Sequence, residues 1–156
     1  MQWQLLSFDE LNTLDLYGLL RLRSSVFVVE QNCVYQDLDN KDQKAFHLFG
    51  KNEEKIVAYA RILAPKSKTS PFSSIGRVVV DAQHRHNKVG GLLMQKAIAF
   101  CDTQFQKAPI KISAQKHLQK FYESLGFLYK GEDYLEDNIP HCAMYYSFAS
   151  KRESNN

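Results

Sequence analysis

One stretch limits the fold more than any other. Ile75 to Cys101 reads as a β run, then a polar turn, then an amphipathic helix. The run Ile75–Val80 is built of residues that suit a pleated, half-buried surface. The helix is expected from Val89 to Cys101, with Val89, Leu93, Ala97 and Phe100 on one stripe and Leu92 beside it. Between them lies Asp81-Ala82-Gln83-His84-Arg85-His86-Asn87-Lys88, and the helix opens on Val89-Gly90-Gly91.

The rest of the chain supplies strands and helices around this unit. Trp3 to Leu6 predicts a short strand, and Ser7-Phe8-Asp9-Glu10 a capping box. Leu16, Leu19, Leu20, Val26 and Phe27 follow a helical period, so one helix or two short ones should run to Glu30. Asn32 to Gln43 is polar and Asp-rich and reads as a loop. Ala45–Lys51 and Lys55–Leu63 read as paired strands around a tight turn at Asn52-Glu53-Glu54, and Pro65–Ser74 as an exposed connector. Ile110–Ala114 predicts another strand. Leu118, Phe121, Tyr122 and Leu125 form a second helical stripe, which Gly126 can cap in a left-handed conformation with Phe127 packing back. Two strands follow, near Leu128–Tyr134 and His141–Phe148. The expected order is β-α-β-β-β-α-β-α-β-β, a mixed α/β sheet with helices on its faces.

A chain of 156 residues fits one domain, expected over residues 3–149 with 150–156 as a tail. The balance of 20 basic and 17 acidic residues gives a net charge of +3. That supplies no extended basic stripe for nucleic acid. No secretory signal is visible at the N-terminus, and no apolar run approaches the ~18 residues of a membrane span. Cys33, Cys101 and Cys142 are scattered and odd in number, without zinc spacing or a disulfide framework, and the five histidines show no metal-ligand pattern. The expectation is a cytoplasmic protein with no metal, no membrane and no nucleic-acid partner.

The first N–H groups of a helix have no partners inside it, and they carry the positive end of its dipole. An anion fits there, and side chains do not obstruct it at Gly90 and Gly91. Arg85 and Lys88 add charge. Spacing alone leaves two readings open: an anion site such as pyrophosphate needs, or a solvated basic turn with two glycines.

Arg85 to Gly91 resembles the acetyl-CoA pyrophosphate loop of the GNAT superfamily, Arg/Gln-x-x-Gly-x-Gly/Ala. Arg85 stands at its first position and Gly90 at its last, with Lys88 in place of the usual first Gly. Phe121-Tyr122 and Gly126-Phe127 resemble the second GNAT signature, with Gln115 where the family often has Asn. Val26 to Gln31, Tyr59 to Ile62, Ile75 to Val78 and Ile139-Pro140-His141 are similar to the ElaA branch, over roughly Trp3 to Phe148.

The resemblance implies a mostly antiparallel central sheet flanked by helices, and an acetyl-CoA-dependent N-acetyltransferase. It implies cofactor contacts from Val78, Val79, Val80, Arg85, His86, Lys88, Val89, Gly90, Gly91 and Gln115, and Tyr122 as the general acid for the CoA thiolate. Glu30, Gln31, Arg77 and His141 are expected around the acceptor, a small-molecule or peptide amine, and a homodimer is allowed. An alkyl amine with pKa near ~10.4 must lose a proton before attack. Glu30 and His141 are the candidate bases; Glu30 would need a raised pKa. Their plainer readings are a helix-end charge and a strand surface residue. Asp37 and Asp39 either attract a cationic amine or face water. Arg61 and Arg77 lie within strands and need partners if buried, either Glu30 or an acidic acceptor. The alternative function is a non-catalytic acyl-CoA-binding or sensor protein on the same fold.

Overall fold

The computed structural model describes residues 1–149, so the expected tail at 150–156 lies outside the described residues. The strands are β1 (Gln2–Ser7), β2 (Phe46–Asn52), β3 (Lys55–Leu63), β4 (Ser74–Val80), β5 (Ile110–Gln115), β6 (Leu128–Glu136) and β7 (Ile139–Tyr146). The α-helices are α1 (Thr13–Arg23), α2 (Val89–Gln104) and α3 (Gln119–Ser124). This is the expected order of strands and helices. The strands form two sheets, β1-β2-β3-β4 and β5-β7-β6, rather than one continuous sheet. Antiparallel pairing joins β1 to β2, β2 to β3, β5 to β7 and β6 to β7.

The chain divides into two compact units, one of Met1–Leu63 with Arg77–Ala97, the other of Ala64–Gly76 with the segment from Ile98 onward. In the first, Leu19, Leu22 and Val26 pack with Phe49, Ile56, Tyr59 and Val79, and Leu16, Leu20 and Phe27 close around them. Strand β3 is buried on both faces from Ile56 to Ile62. Its alternating residues therefore meet protein on either side, as in a covered sheet.

The helix start differs from expectation. Ser7 N and Oγ both donate to the Glu10 carboxylate, at 2.8 and 3.0 Å, but the box opens only a 3₁₀ turn at Phe8–Glu10. Leu11 then turns extended and breaks it. Helix α1 is capped by Asn12 instead, whose Oδ1 accepts from Asp15 N at 2.7 Å. Past Arg23 the chain continues as a π-helical segment, Ser24–Glu30, with Gln31 N donating to Val26 O at 3.0 Å. Such wide turns are frequent at functional sites.

In the second unit, Ile110, Ile112, Ala114, Phe127, Met144 and Tyr146 are buried. The second predicted helix is shorter than its stripe, because Lys116–Leu118 is a 3₁₀ turn and Leu118 is exposed. Its end is as expected. Gly126 has φ +102, Phe127 N donates to Tyr122 O at 3.1 Å, and Phe127 is buried. Strands β6 and β7 are joined by Asp137-Asn138, both left-handed, the geometry of a two-residue hairpin turn. Among the described residues, no helix is long and apolar enough to cross a membrane.

Candidate active site

The first unit carries the glycine turn. Residues Ala82–Asn87 form a 3₁₀ turn whose start is capped by Asp81, with Oδ1 accepting from Gln83 N at 3.1 Å. Lys88 follows in the left-handed region, φ 57 and ψ 19. A residue with a Cβ is strained there. A Gly would take this conformation without strain, and Lys88 takes it at a cost. Leu92 N donates to Lys88 O at 3.2 Å, opening the α2 ladder. The N–H groups of Val89, Gly90 and Gly91 precede that bond and have no carbonyl to meet within the helix. A Cβ at Gly91 would meet nothing within 4 Å, so the approach to the backbone is open. Val89 is buried and offers only its backbone, whereas His86 and Lys88 are exposed. Amides at a helix N-terminus, with the cationic Lys88 beside them, can take an anion such as a phosphate.

Arg85 is engaged within the protein. Its Nε donates to Val80 O at 3.0 Å, and its Nη1 and Nη2 clasp the two oxygens of Glu30. That fork-on-fork geometry holds Glu30, at the end of the π-helical segment, directly on the turn. The hydrogen bond from Arg85 lowers the Glu30 pKa, the opposite of what a general base needs. Gln31, beside it, is half-buried.

Arg61 and Arg77 do not pair with Glu30. The Arg77 Nε donates to Asp37 Oδ1 at 2.7 Å, and Nη2 to Asp37 O at 2.9 Å and Asp39 Oδ2 at 3.4 Å. Arg61 binds Asp39 at 2.7 and 2.8 Å and Asp42 at 3.0 Å. Fully buried Arg23 completes the set, with Nε on Asp37 at 2.9 Å and Nη1 on Asp42 at 2.8 Å. Asp37 and Asp42 are buried, so this loop does not simply face water. Three cations meet three anions, which satisfies the pairing that buried charges require. The hydrogen bonds from Arg61 hold the Asp39 carboxyl well below the usual range. Sequence reading missed Arg23 and Asp42. The only signal was a run of Asp residues in a chain with arginines inside its strands.

Arg77 also has φ 52 in the middle of β4. For a non-glycine residue this costs of order 1–3 kcal/mol. Beyond it, Val79 is buried and Val78 and Val80 are half-buried.

The second unit holds Tyr122, Gln115 and His141. Tyr122 is buried on α3, edge-on to Phe121 and Phe127 at centroid distances of 5.1 and 5.9 Å. Burial pushes its phenol up to about 12, so it is a protonated donor at neutral pH. Gln115 and His141 face each other across β5 and β7. His141 is buried, not the surface residue its strand position suggested. Its Nδ1 meets Ile139 O at 2.7 Å and its Nε2 meets Glu136 Oε2 at 3.1 Å, while its ring stacks on Tyr134. Glu136 is a partner that sequence reading missed, since β6 looked as if it ended at Tyr134. Cys101 is a core residue whose thiol burial pushes up to about 11.

The family model for the acetyltransferase (GNAT) domain matches residues 17–148. Protein ElaA of Escherichia coli strain K12 is 45% identical over 146 residues, covering 92% of this chain and 95% of its own. The crystal structure of Escherichia coli ElaA superposes with a TM-score of 0.88, over 94% of this chain and 100% of that one. An acyl-CoA N-acyltransferase from Pseudomonas aeruginosa, 37% identical, also superposes with a TM-score of 0.88, over 94% and 100% of the two chains. An aminoglycoside 6′-N-acetyltransferase complexed with coenzyme A shares the fold alone, at 14% identity and a TM-score of 0.66 over 92% and 96%.

Proposed function

Because the chain belongs to the GNAT acetyltransferase family, in its ElaA-type branch, we propose that it moves an acetyl group from acetyl-CoA to an amine, as a cytoplasmic enzyme of one domain spanning residues 3–149. The observation that carries this reading is the turn at Arg85–Gly91. A left-handed Lys88 sets the open N-terminus of α2 beside cationic side chains. Bound there, acetyl-CoA supplies an acyl thioester. The amides of Val89, Gly90 and Gly91, with Arg85, Lys88 and His86, hold its pyrophosphate. The backbone of Val78–Val80 orients the pantetheine arm and stabilises charge on the thioester oxygen. Tyr122, kept protonated by burial, gives its proton to the departing thiolate. The resemblance assigns Gln31 and His141 to the amine acceptor and Gln115 to the cofactor. Glu30 is assigned to the cofactor turn through Arg85, and Arg77 away from direct acceptor contact, because both side chains are already engaged.

A thiol-release assay with acetyl-CoA and a panel of small-molecule and peptide amines tests the activity. Calorimetry on a folded Gly90→Val variant tests the turn. A side chain at that position should weaken acetyl-CoA binding at least tenfold, about 1.4 kcal/mol. Unchanged affinity would remove the turn from the proposal. Tight binding without turnover on any amine would leave a non-catalytic acyl-CoA-binding protein.

A further inference from the structure

Arg77 combines two features that belong together. Its backbone is left-handed, φ 52, inside strand β4, where a residue with a Cβ is strained. Its side chain is clamped: Nε on Asp37 Oδ1 at 2.7 Å, and Nη2 on Asp37 O at 2.9 Å and on Asp39 Oδ2 at 3.4 Å. The guanidinium also lies 5.7 Å from the centroid of Tyr35, whose hydroxyl donates to Asp37 at 2.9 Å. The clamp is itself anchored, because the other Asp37 oxygen accepts from fully buried Arg23 at 2.9 Å. Strain of this kind persists only where the surroundings over-determine it, and it gathers at sites that use it. A left-handed residue inside a strand turns the adjoining peptide out of the ladder and re-aims it, as a β-bulge does.

We infer that Arg77 is a positioning residue: its clamp to Asp37 and Asp39 holds the β4 kink and so fixes the Val78–Val80 backbone that orients the thioester carbonyl. This rests on the acyl-CoA reading above. An Arg serving an acceptor would keep its donors for the acceptor. Here Nε and Nη2 are committed to the loop. The Arg side chain and the left-handed backbone are one device, in which charge pairing on one side of the residue offsets strain on the other.

Two substitutions separate the roles. Arg77→Ala removes the clamp and keeps a Cβ that resists φ 52. Arg77→Gly removes the same clamp but accepts that conformation freely. The readout is isotope-edited infrared spectroscopy of acetyl-CoA labelled with ¹³C at the carbonyl, bound to each protein. The carbonyl band should be shifted to lower frequency in the wild type, should keep most of that shift in Arg77→Gly, and should lose it in Arg77→Ala. On an amine found by the panel, kcat should fall about tenfold or more in Arg77→Ala and less in Arg77→Gly, with acceptor KM unchanged. Should Arg77→Ala fail to fold, Asp39→Asn loosens the clamp from the loop side, and its carbonyl band should move toward that of free acetyl-CoA while affinity holds. A wild-type shift that survives in Arg77→Ala or in Asp39→Asn, or that Ala and Gly lose equally, overturns the inference. So does a raised acceptor KM with an unmoved carbonyl band. Wild-type protein that binds no acetyl-CoA overturns the acyl-transfer reading and this inference with it.

Discussion

Replacing Tyr122 with Phe removes one hydroxyl and leaves the packing on Phe121 and Phe127 in place. If that hydroxyl protonates the thiolate, kcat should fall by a factor on the order of 10²–10⁴, with little change in acetyl-CoA affinity. Steady-state kinetics and a thermal melt on the one variant decide the matter. Wild-type turnover in a folded protein would reduce Tyr122 to a core aromatic. Lys88 offers a test of backbone against charge. Its left-handed geometry penalises any Cβ, and a β-branched one most. Lys88→Val should be less stable than wild type in urea unfolding, and less stable than Lys88→Gly by at least ~1–2 kcal/mol. Equal stability of the Val and Gly variants would mean that the left-handed turn is not held in solution.

Elements are decided at their ends, and α3 shows how. Gly126 stops it with φ +102, where a Cβ would also meet Tyr146 Cε2 at 3.1 Å. Gly126→Ala should therefore cost ~1–2 kcal/mol in chemical denaturation, from the backbone conformation alone; a loss below a few tenths would refute the cap. This stop was legible in the sequence, because a Gly after a helical stripe and before Phe127 has few other uses. The start of α1 was not. Ser7 and Glu10 make their reciprocal contacts, yet a capping box states only that a turn begins and not how long it lasts. The π-helical widening at Ser24–Glu30 was equally hidden, since Val26–Val29 is an unbroken apolar run with no period in which an extra residue would show. That widening bears on the site, for it ends at Glu30.

At the scale of the whole molecule, the order of strands and helices could be read from period and turn residues. The charged network could not. Arg23, Asp37 and Asp42 carry no periodic signature, and only tertiary structure assembles them. Its stability should be visible in acid. Asp39 and Asp42 titrate below their ordinary values, Asp39 chiefly through hydrogen bonds from Arg61, and Asp42 through Arg23 and Arg61 against the opposing effect of burial. A carboxylate lowered in the fold stabilises fully above its unfolded pKa of ~3.9 and loses that contribution as pH falls toward the folded value. His47 acts earlier. Burial lowers its pKa and keeps it neutral, between the Tyr59 hydroxyl at 2.8 Å and Asp42 O at 2.9 Å. The unfolded chain takes up that proton first, so stability should begin to fall as pH drops through ~6.5. Urea melts at pH 7.5 and 5.5 should show the loss in wild type and not in His47→Gln. Identical pH dependence in both would clear His47 of the effect.

On the acyl-CoA reading, the Glu30–Arg85 clasp makes cofactor capture a competition between anions. A pyrophosphate at Arg85 meets a guanidinium whose charge a carboxylate already offsets, so little new charge is neutralised at that side chain. Affinity for acetyl-CoA should therefore depend on ionic strength less steeply than the cations of the turn suggest. Glu30→Gln frees Arg85 in advance: binding should tighten in dilute buffer and weaken faster as salt is added. Calorimetry at two salt concentrations reads both effects, and parallel salt profiles for the two proteins would show that Glu30 does not compete.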